Sequence, residues 1–287
     1  QPGAQASSPV NEVVGYQVQK KLGQGGMGAV YLARRGADNL TVALKVMLSK
    51  VAVDEYARRL FSREIDVTAS LDHPKIVRLY EHGAVGSAFY FALEYCPGGS
   101  VYDAMKERRR ALPLAEAGRI ILDVLDGLIF AHERGYIHRD IKPQNILLTS
   151  AEGGAAKLSD FGLAKSFQKA GLSGMTATSA VAGTFAFMPR EQLTNFKYAK
   201  PVSDVWSTGA TLYYMLTGQF TRDFAAAKDQ ARVVMGGRIV PLEERDPSIP
   251  PKIAAVTNRA IADDPRDRYQ SAAELHSDLS AALPPSG

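Results

Sequence analysis

Short β-type apolar runs crowd the first third of the chain, at residues 16–22, 29–33, 42–47, 76–80 and 89–93. One helical stretch interrupts them, over about residues 54–71. Further on the apolar spacing changes to the helical period, and 115–133, 202–216 and 251–261 predict helices. Strands gathered at one end and helices at the other predict an α+β, bilobal fold: a strand-rich small lobe with one key helix, then a mainly helical large lobe. The small lobe is expected at 14–95 and the large lobe at 96–283. Residues 1–13 and 284–287 read as linker ends, rich in Pro, Ser, Ala and Gly. The pattern changes near 94–99, where Cys96-Pro97-Gly98-Gly99 predicts a hinge. No internal repeat is visible.

Two charged residues break the apolar pattern. Leu60, Glu64, Val67 and Leu71 share one face of the interrupting helix, and a carboxylate within an apolar stripe is costly unless a cation meets it. Lys45 poses the mirror-image problem inside the strand Val42-Ala43-Leu44-Lys45-Val46. A solvated rim position would explain Glu64 by itself; pairing Lys45 with Glu64 explains both.

Composition narrows the class. The chain has 287 residues, 46% hydrophobic and 22% charged, which suits a globular enzyme with a sizeable core. A net charge of +4 is small and dispersed, which argues against a nucleic-acid partner. The densest basic run, Arg108-Arg109-Arg110, follows a predicted helix and reads as its solvated end. A single cysteine, Cys96, excludes an internal disulfide and a cysteine-based zinc site, and suits a reducing cytoplasm. No apolar run reaches the roughly 18 residues that span a bilayer. No membrane contact by this stretch is expected, and a tether would have to come from a longer protein.

The candidate chemistry begins with His138-Arg139-Asp140-Ile141-Lys142-Pro143-Gln144-Asn145. Asp140 can orient and deprotonate a hydroxyl, Lys142 can neutralise a transferring phosphoryl group, and Asn145 offers an amide oxygen to a hard cation. Asp160-Phe161-Gly162 follows at short range. An Asp-Gly pair near a strand end is commonly a turn, but Mg²⁺ bound to ATP needs a carboxylate beside the amide, which favours Asp160 as the second ligand. Upstream, Gly23-Gln24-Gly25-Gly26-Met27-Gly28 lies between two predicted strands. Such a run is sometimes a flexible hairpin and nothing more. A dinucleotide-binding turn would open a helix; here strand sequence follows, then Lys45, as for a loop folded over ATP phosphates.

Together these motifs resemble the eukaryotic-type (Hanks-type) serine/threonine protein kinases, most closely their bacterial branch, over about residues 16–283. The resemblance implies a Mg²⁺- and ATP-dependent enzyme that phosphorylates Ser and Thr hydroxyls of proteins. It implies that Leu22, Val30, Ala43 and Leu147 sandwich the adenine, that Leu93 is the gatekeeper, and that Glu94 and Cys96 present hinge backbone groups. Thr184, after Gly183, would contact Asp140 and Lys142. Asp204, in Ser203-Asp204-Val205-Trp206, would hold the catalytic-loop backbone, and Glu191 would pair with Arg268. Within the Ser/Thr/Gly/Ala-rich stretch 166–182, Thr176 and Thr178 resemble paired activation threonines. Arg139 would receive their phosphates, with Lys165 and Arg63 as helpers, although a mobile hydroxyl-rich surface loop would look the same. Small-lobe homodimers that promote activation in trans are a further implication.

Three places depart from the family pattern. Pro189-Arg190-Glu191 stands where Ala-Pro-Glu or Ser-Pro-Glu is usual, which should change the path of the peptide-docking platform. Thr68 is a small polar residue where larger apolar ones are common. The run 219–224 has no functional account from sequence. Two other readings stay open: a pseudokinase scaffold that binds nucleotide without turnover, and a small-molecule kinase.

Overall fold

Five strands form one antiparallel sheet: β1 (Tyr16–Gly25), β2 (Gly28–Arg35), β3 (Thr41–Leu48), β4 (Leu79–Val85) and β5 (Ala88–Glu94), in the spatial order β1-β2-β3-β5-β4. The computed structural model describes residues 13–25, 28–48, 65, 69–85, 88–152, 154–161, 184–194, 199–224 and 229–284. These residues fall in two compact units. Unit 1 is drawn from 13–72 and 77–96, unit 2 from 73–76, 97–161 and 184–284.

In unit 1 the period-2 alternation does its expected work. Val42, Leu44 and Val46 of β3 join Val13, Ala33, Ala88 and Ala92 in a buried layer, covered by Tyr16, Tyr31, Tyr80 and Tyr90. Each Val or Leu side chain removed from water there contributes about 1.5–3 kcal/mol. Ala43 and Lys45 alternate with this set and therefore lie on the opposite face. Tyr16 and Tyr90 both donate to Glu81, at 2.7 and 2.9 Å. Burial and that carboxylate push the Tyr90 phenol up to about 12, and Tyr16 is raised by the same causes.

The strand expected at 76–80 begins instead at Leu79. Ile76 makes a single parallel bridge with Leu158, and the Lys75 carbonyl accepts the Leu158 N–H at 2.9 Å. Residues 73–76 are thereby stitched into unit 2, where Lys75 also pairs with Asp123. Of the helix expected at 54–71, Ile65 and Ala69 are helical and Ile65 is fully buried. Residues 54–64 and 66–68 lie outside the described residues.

Unit 2 contains α1 (Val101–Arg108), α2 (Leu114–Glu133), α3 (Arg190–Thr194), α4 (Pro201–Thr217), α5 (Gln230–Gly236), α6 (Leu242–Arg245), α7 (Pro251–Ala260), α8 (Ala272–Ala282) and a hairpin of β6 (Ile146–Leu148) with β7 (Ala156–Leu158). Ser100 and Asp103 form a reciprocal capping box that starts α1. Arg109 ends it in the left-handed region (φ 52°), and Arg109 and Arg110 are exposed as expected. Helix α2 buries Ile120, Ile121, Val124, Leu125, Leu128 and Ala131. Helix α4 is buried nearly all round. Its Ser207, Thr208 and Thr211 satisfy their hydroxyls on carbonyls four residues back.

The two glycines of the expected hinge have a specific reason to be glycine. Gly98 donates to the Leu148 carbonyl at 3.0 Å, and a Cβ on it would lie 2.5 Å from the Ser150 carbonyl oxygen. Gly99 sits at φ 68° and its carbonyl accepts the Leu148 N–H. Close approach to the hairpin, as well as freedom, dictates this sequence.

Candidate active site

The loop between α2 and β6 is held from below by one carboxylate. Asp204, in the first turn of α4 and fully buried, accepts the His138 and Arg139 N–H groups, each at 2.8 Å, and His132 Nε2 donates to it at 2.8 Å. Three donors onto one anion explain how a charge survives without solvent. They also hold Arg139 at φ 71°, a conformation that costs a non-glycine residue of order 1–3 kcal/mol. Burial lowers the Arg139 guanidinium from its usual range, with Asp204 opposing that shift.

His138 fixes the next level. Its Nδ1 accepts the Asp140 N–H at 3.2 Å, so the ring proton is on Nε2, which donates to the Ser159 carbonyl at 2.9 Å. Its ring meets Phe161 edge-on at 4.4 Å. Ser159 in turn gives both N–H and Oγ to the Asn145 carbonyl, at 2.9 and 3.1 Å. The residue preceding Asp160 is thus tied to Asn145, and Asp160 turns away from the strand at φ 63°.

Three of the residues expected from sequence converge on this loop. Lys142 Nζ donates to both Asp140 carboxylate oxygens, at 2.9 and 2.8 Å. Asn145 Nδ2 donates to the Asp140 carbonyl at 2.7 Å and to its Oδ2 at 2.9 Å. With its nitrogen committed to Asp140, Asn145 presents its oxygen as the atom a hard cation would take. The donor set of an amide oxygen and the Asp160 carboxylate fits Mg²⁺.

Unit 1 carries the other expected residues. Val30, Lys45 and Phe91 are cross-strand neighbours on β2, β3 and β5, as are Leu32, Ala43 and Leu93. The hairpin of β1 and β2 pairs Gly23 with Val30, Gln24 with Ala29 and Gly25 with Gly28. Leu22 is exposed. The Glu94 N–H is taken by the Arg78 carbonyl at 2.8 Å, and Cys96 is buried. In unit 2, Leu147 is half-buried in β6 and Thr184 opens a 3-10 turn, Thr184–Phe187. Gly26, Met27, Arg63, Glu64, Lys165, Thr176 and Thr178 lie outside the described residues, as do Thr68, Gly162 and Gly183.

The expected Glu191–Arg268 pair is formed, bidentate at 2.7 and 3.1 Å with the guanidinium buried, and Ser203 Oγ donates to the same carboxylate. The departure at Pro189-Arg190 acquires a physical reason. Arg190 donates to the Val234 and Gly237 carbonyls at the end of α5, at 2.9 and 3.0 Å, and pairs with Asp263 at 3.0 Å. Asp263 also takes Arg222 at 2.6 Å, a guanidinium buried over Trp206. From sequence Arg190 was a departure without partners and Arg222 lay in the unexplained run 219–224, while Gln192 and Asp263 were missed. An arginine where the pattern has proline was a usable signal for Arg190.

Residues 16–279 match the protein kinase domain family. Serine/threonine-protein kinase PknJ of Mycobacterium tuberculosis is 37% identical over 275 residues, covering 94% of this chain and 45% of that protein. PknB of Mycolicibacterium smegmatis is 36% identical over 270 residues, covering 92% and 42%. Among solved structures, the PknI kinase domain of M. tuberculosis is similar with a TM-score of 0.71 at 27% identity, over 94% of this chain and 96% of that one. The chain spans less than half the length of these curated relatives.

Proposed function

The chain belongs to the protein kinase family, and from that premise we propose that it transfers the γ-phosphoryl group of ATP to Ser and Thr hydroxyls of protein substrates. The observation that carries this reading is Asp140, held through its peptide by Asp204 and His138 and through its carboxylate by Lys142 and Asn145. Asp140 orients the acceptor hydroxyl and receives its proton as the new P–O bond forms and the bond from the γ-phosphorus to the departing ADP oxygen breaks. Such help from a general base is worth about 10²–10⁴-fold. Lys142, already on that carboxylate, moves its charge toward the phosphoryl oxygens. Asn145 and Asp160 would hold Mg²⁺, and Lys45, with the glycine-rich run 23–28, would hold the phosphates. Bound Mg²⁺-ATP supplies the transferable group and the cationic neutralisation.

The adenine contacts assigned to Leu22, Val30, Ala43, Leu93, Glu94, Cys96 and Leu147, and the roles of Glu64 and Thr184, are part of the same proposal. So are phosphate capture by Arg139 from Thr176 or Thr178, and a homodimer through the small lobe. A cytoplasmic location, which the single cysteine suits, belongs to the same proposal, with any membrane tether supplied by sequence beyond this stretch. Among the described residues no helix is long and apolar enough to cross a membrane.

Dephosphorylated protein incubated with Mg²⁺-ATP beside its Asp140→Asn variant tests the reading by phosphosite-resolved mass spectrometry. Phosphate should accumulate on Thr176 or Thr178 in the parent alone. Nucleotide binding without transfer to itself or to a generic protein would instead leave a pseudokinase scaffold. Equal phosphorylation of the Asp140→Asn variant would remove Asp140 from the assigned role.

A further inference from the structure

Helix α3 reaches the catalytic loop through one side chain. Gln192, only 2% exposed, donates from Nε2 to the Arg139 carbonyl at 2.6 Å. That carbonyl and the Asp140 N–H belong to one peptide unit, the one immediately before the candidate base. Its N–H is held by His138 and its oxygen by Gln192. Rotation of this rigid plane would swing the Cα of Asp140 and with it the carboxylate.

A packing role does not account for glutamine here. Its Oε1 is buried without a hydrogen-bond partner among the described residues, and a leucine of similar volume would fill the space with no such side-chain oxygen, losing only the donor to the Arg139 carbonyl. The donor is the part of the side chain in use. Nor is the contact a local accident of the chain, since the partners are 53 residues apart. Residue 139 is also a place where the backbone needs holding, because its left-handed φ relaxes unless surrounding contacts over-determine it.

We infer that Gln192 is a positioning residue for phosphoryl transfer: its amide locks the peptide before Asp140, so that the segment carrying α3 and the catalytic base move as one. The inference rests on the kinase reading for its consequence in catalysis, but its geometric content stands apart from it. Misplacement of a reacting group by about 1 Å is enough to cost 10²-fold in rate. Asp204 and His138 remain in place when the amide is lost, so a smaller loss is expected.

The test uses the 287-residue chain and two variants, Gln192→Leu and Gln192→Glu. Gln192→Leu should stay folded with a melting temperature lower than the parent's by about 2–12 °C, the loss expected for one unsatisfied carbonyl. Its KM for ATP should stay within about twofold of the parent's, while kcat at a temperature well below that melting point falls about 10-fold or more. Backbone amide exchange across residues 138–142 should be faster than in the parent. Gln192→Glu puts an oxygen against the carbonyl when ionised and restores a donor when protonated, so its kcat relative to parent should rise as pH falls. A folded Gln192→Leu with parental kcat, or parental exchange at 138–142 in both variants, overturns the inference. If Gln192→Leu fails to fold, the pH dependence of Gln192→Glu decides. Should the parent itself transfer no phosphate, the kinase reading falls, and the exchange comparison still decides whether Gln192 holds the loop.

Discussion

Replacing Asp263 by alanine should strand a buried cation, and the cost can be worked from its surroundings. Asp263 meets Arg222 at 2.6 Å through one oxygen and Arg190 at 3.0 Å through the other. The Arg222 side chain is 1% exposed; it also donates to the Gly237 carbonyl at 3.2 Å and lies over the face of Trp206 at 5.2 Å. Removing one partner of a fully buried pair costs about 3–5 kcal/mol, because the other charge is left uncompensated. Asp263 is 38% exposed, so water screens part of that loss, and about 2–3 kcal/mol is expected. At about 2–4 °C per kcal/mol this lowers the melting temperature by about 4–12 °C. Trp206 is the chain's one tryptophan and is fully buried beside Arg222, so urea unfolding followed by its fluorescence reads unit 2 directly. Arg222→Met removes the charge while keeping a long apolar stem, and should recover most of the loss when combined with Asp263→Ala. If the double variant is as unstable as Asp263→Ala alone, the loss does not come from a stranded charge and the argument fails.

Two more outcomes separate structure from function in unit 1. A Cβ on Gly28 would lie 2.1 Å from the Val46 carbonyl oxygen, whereas one on Gly23 would meet nothing within 4 Å. Gly28→Ala should therefore destabilise by about 1–3 kcal/mol or more. Gly23→Ala should leave the melting temperature unchanged and weaken ATP in a nucleotide titration; unchanged affinity would remove the phosphate-cradle role from Gly23. For pH, the raised Tyr90 value sets the sign: stability from keeping its phenol protonated is complete below pH 10 and is lost as pH rises through about 12. Alkaline titration of tyrosinate absorbance, with Tyr90→Phe as reference, should show that late ionisation, and ionisation near 10 would contradict the Glu81 clasp.

What could be read in advance was the part whose chemistry dictates residue type and order. Asp140, Lys142 and Asn145 lie within one short run, so a local spacing was enough to bring them together. Lys45 was legible because a cation breaks the alternation of a strand. Residues 76–80 misled for a complementary reason: Ile76 and Val77 are buried, as strand residues would be, but Ile76 joins the other unit by a single bridge. The supports held by Asp204 and by Glu191 with Arg268 were legible only through the resemblance, whereas Gln192 with Arg139, and Arg222 with Asp263, were hidden because they lie 53 and 41 residues apart and no local spacing joins them.

Helix α3 shows why such supports matter more than its length suggests. Five residues make barely one hydrogen-bonded turn, too short to be stable alone. Successive side chains on a 3.6-residue turn point about 100° apart, so three neighbours reach three directions. Arg190 goes to Asp263 and to the carbonyl end of α5, where a cation is favoured. Glu191 goes to Arg268, and Gln192 to the peptide before Asp140. Two of these anchors fix the helix and the third uses it. The arginine in place of proline therefore adds an anchor to the same turn that holds the catalytic loop. Loosening Asp263 should then reach Asp140 through Arg190 and Gln192, and amide exchange at 138–142 in Asp263→Ala would register that coupling. Parental exchange there, in a variant that has lost stability in unit 2, would show that Glu191 with Arg268 suffices to hold the turn.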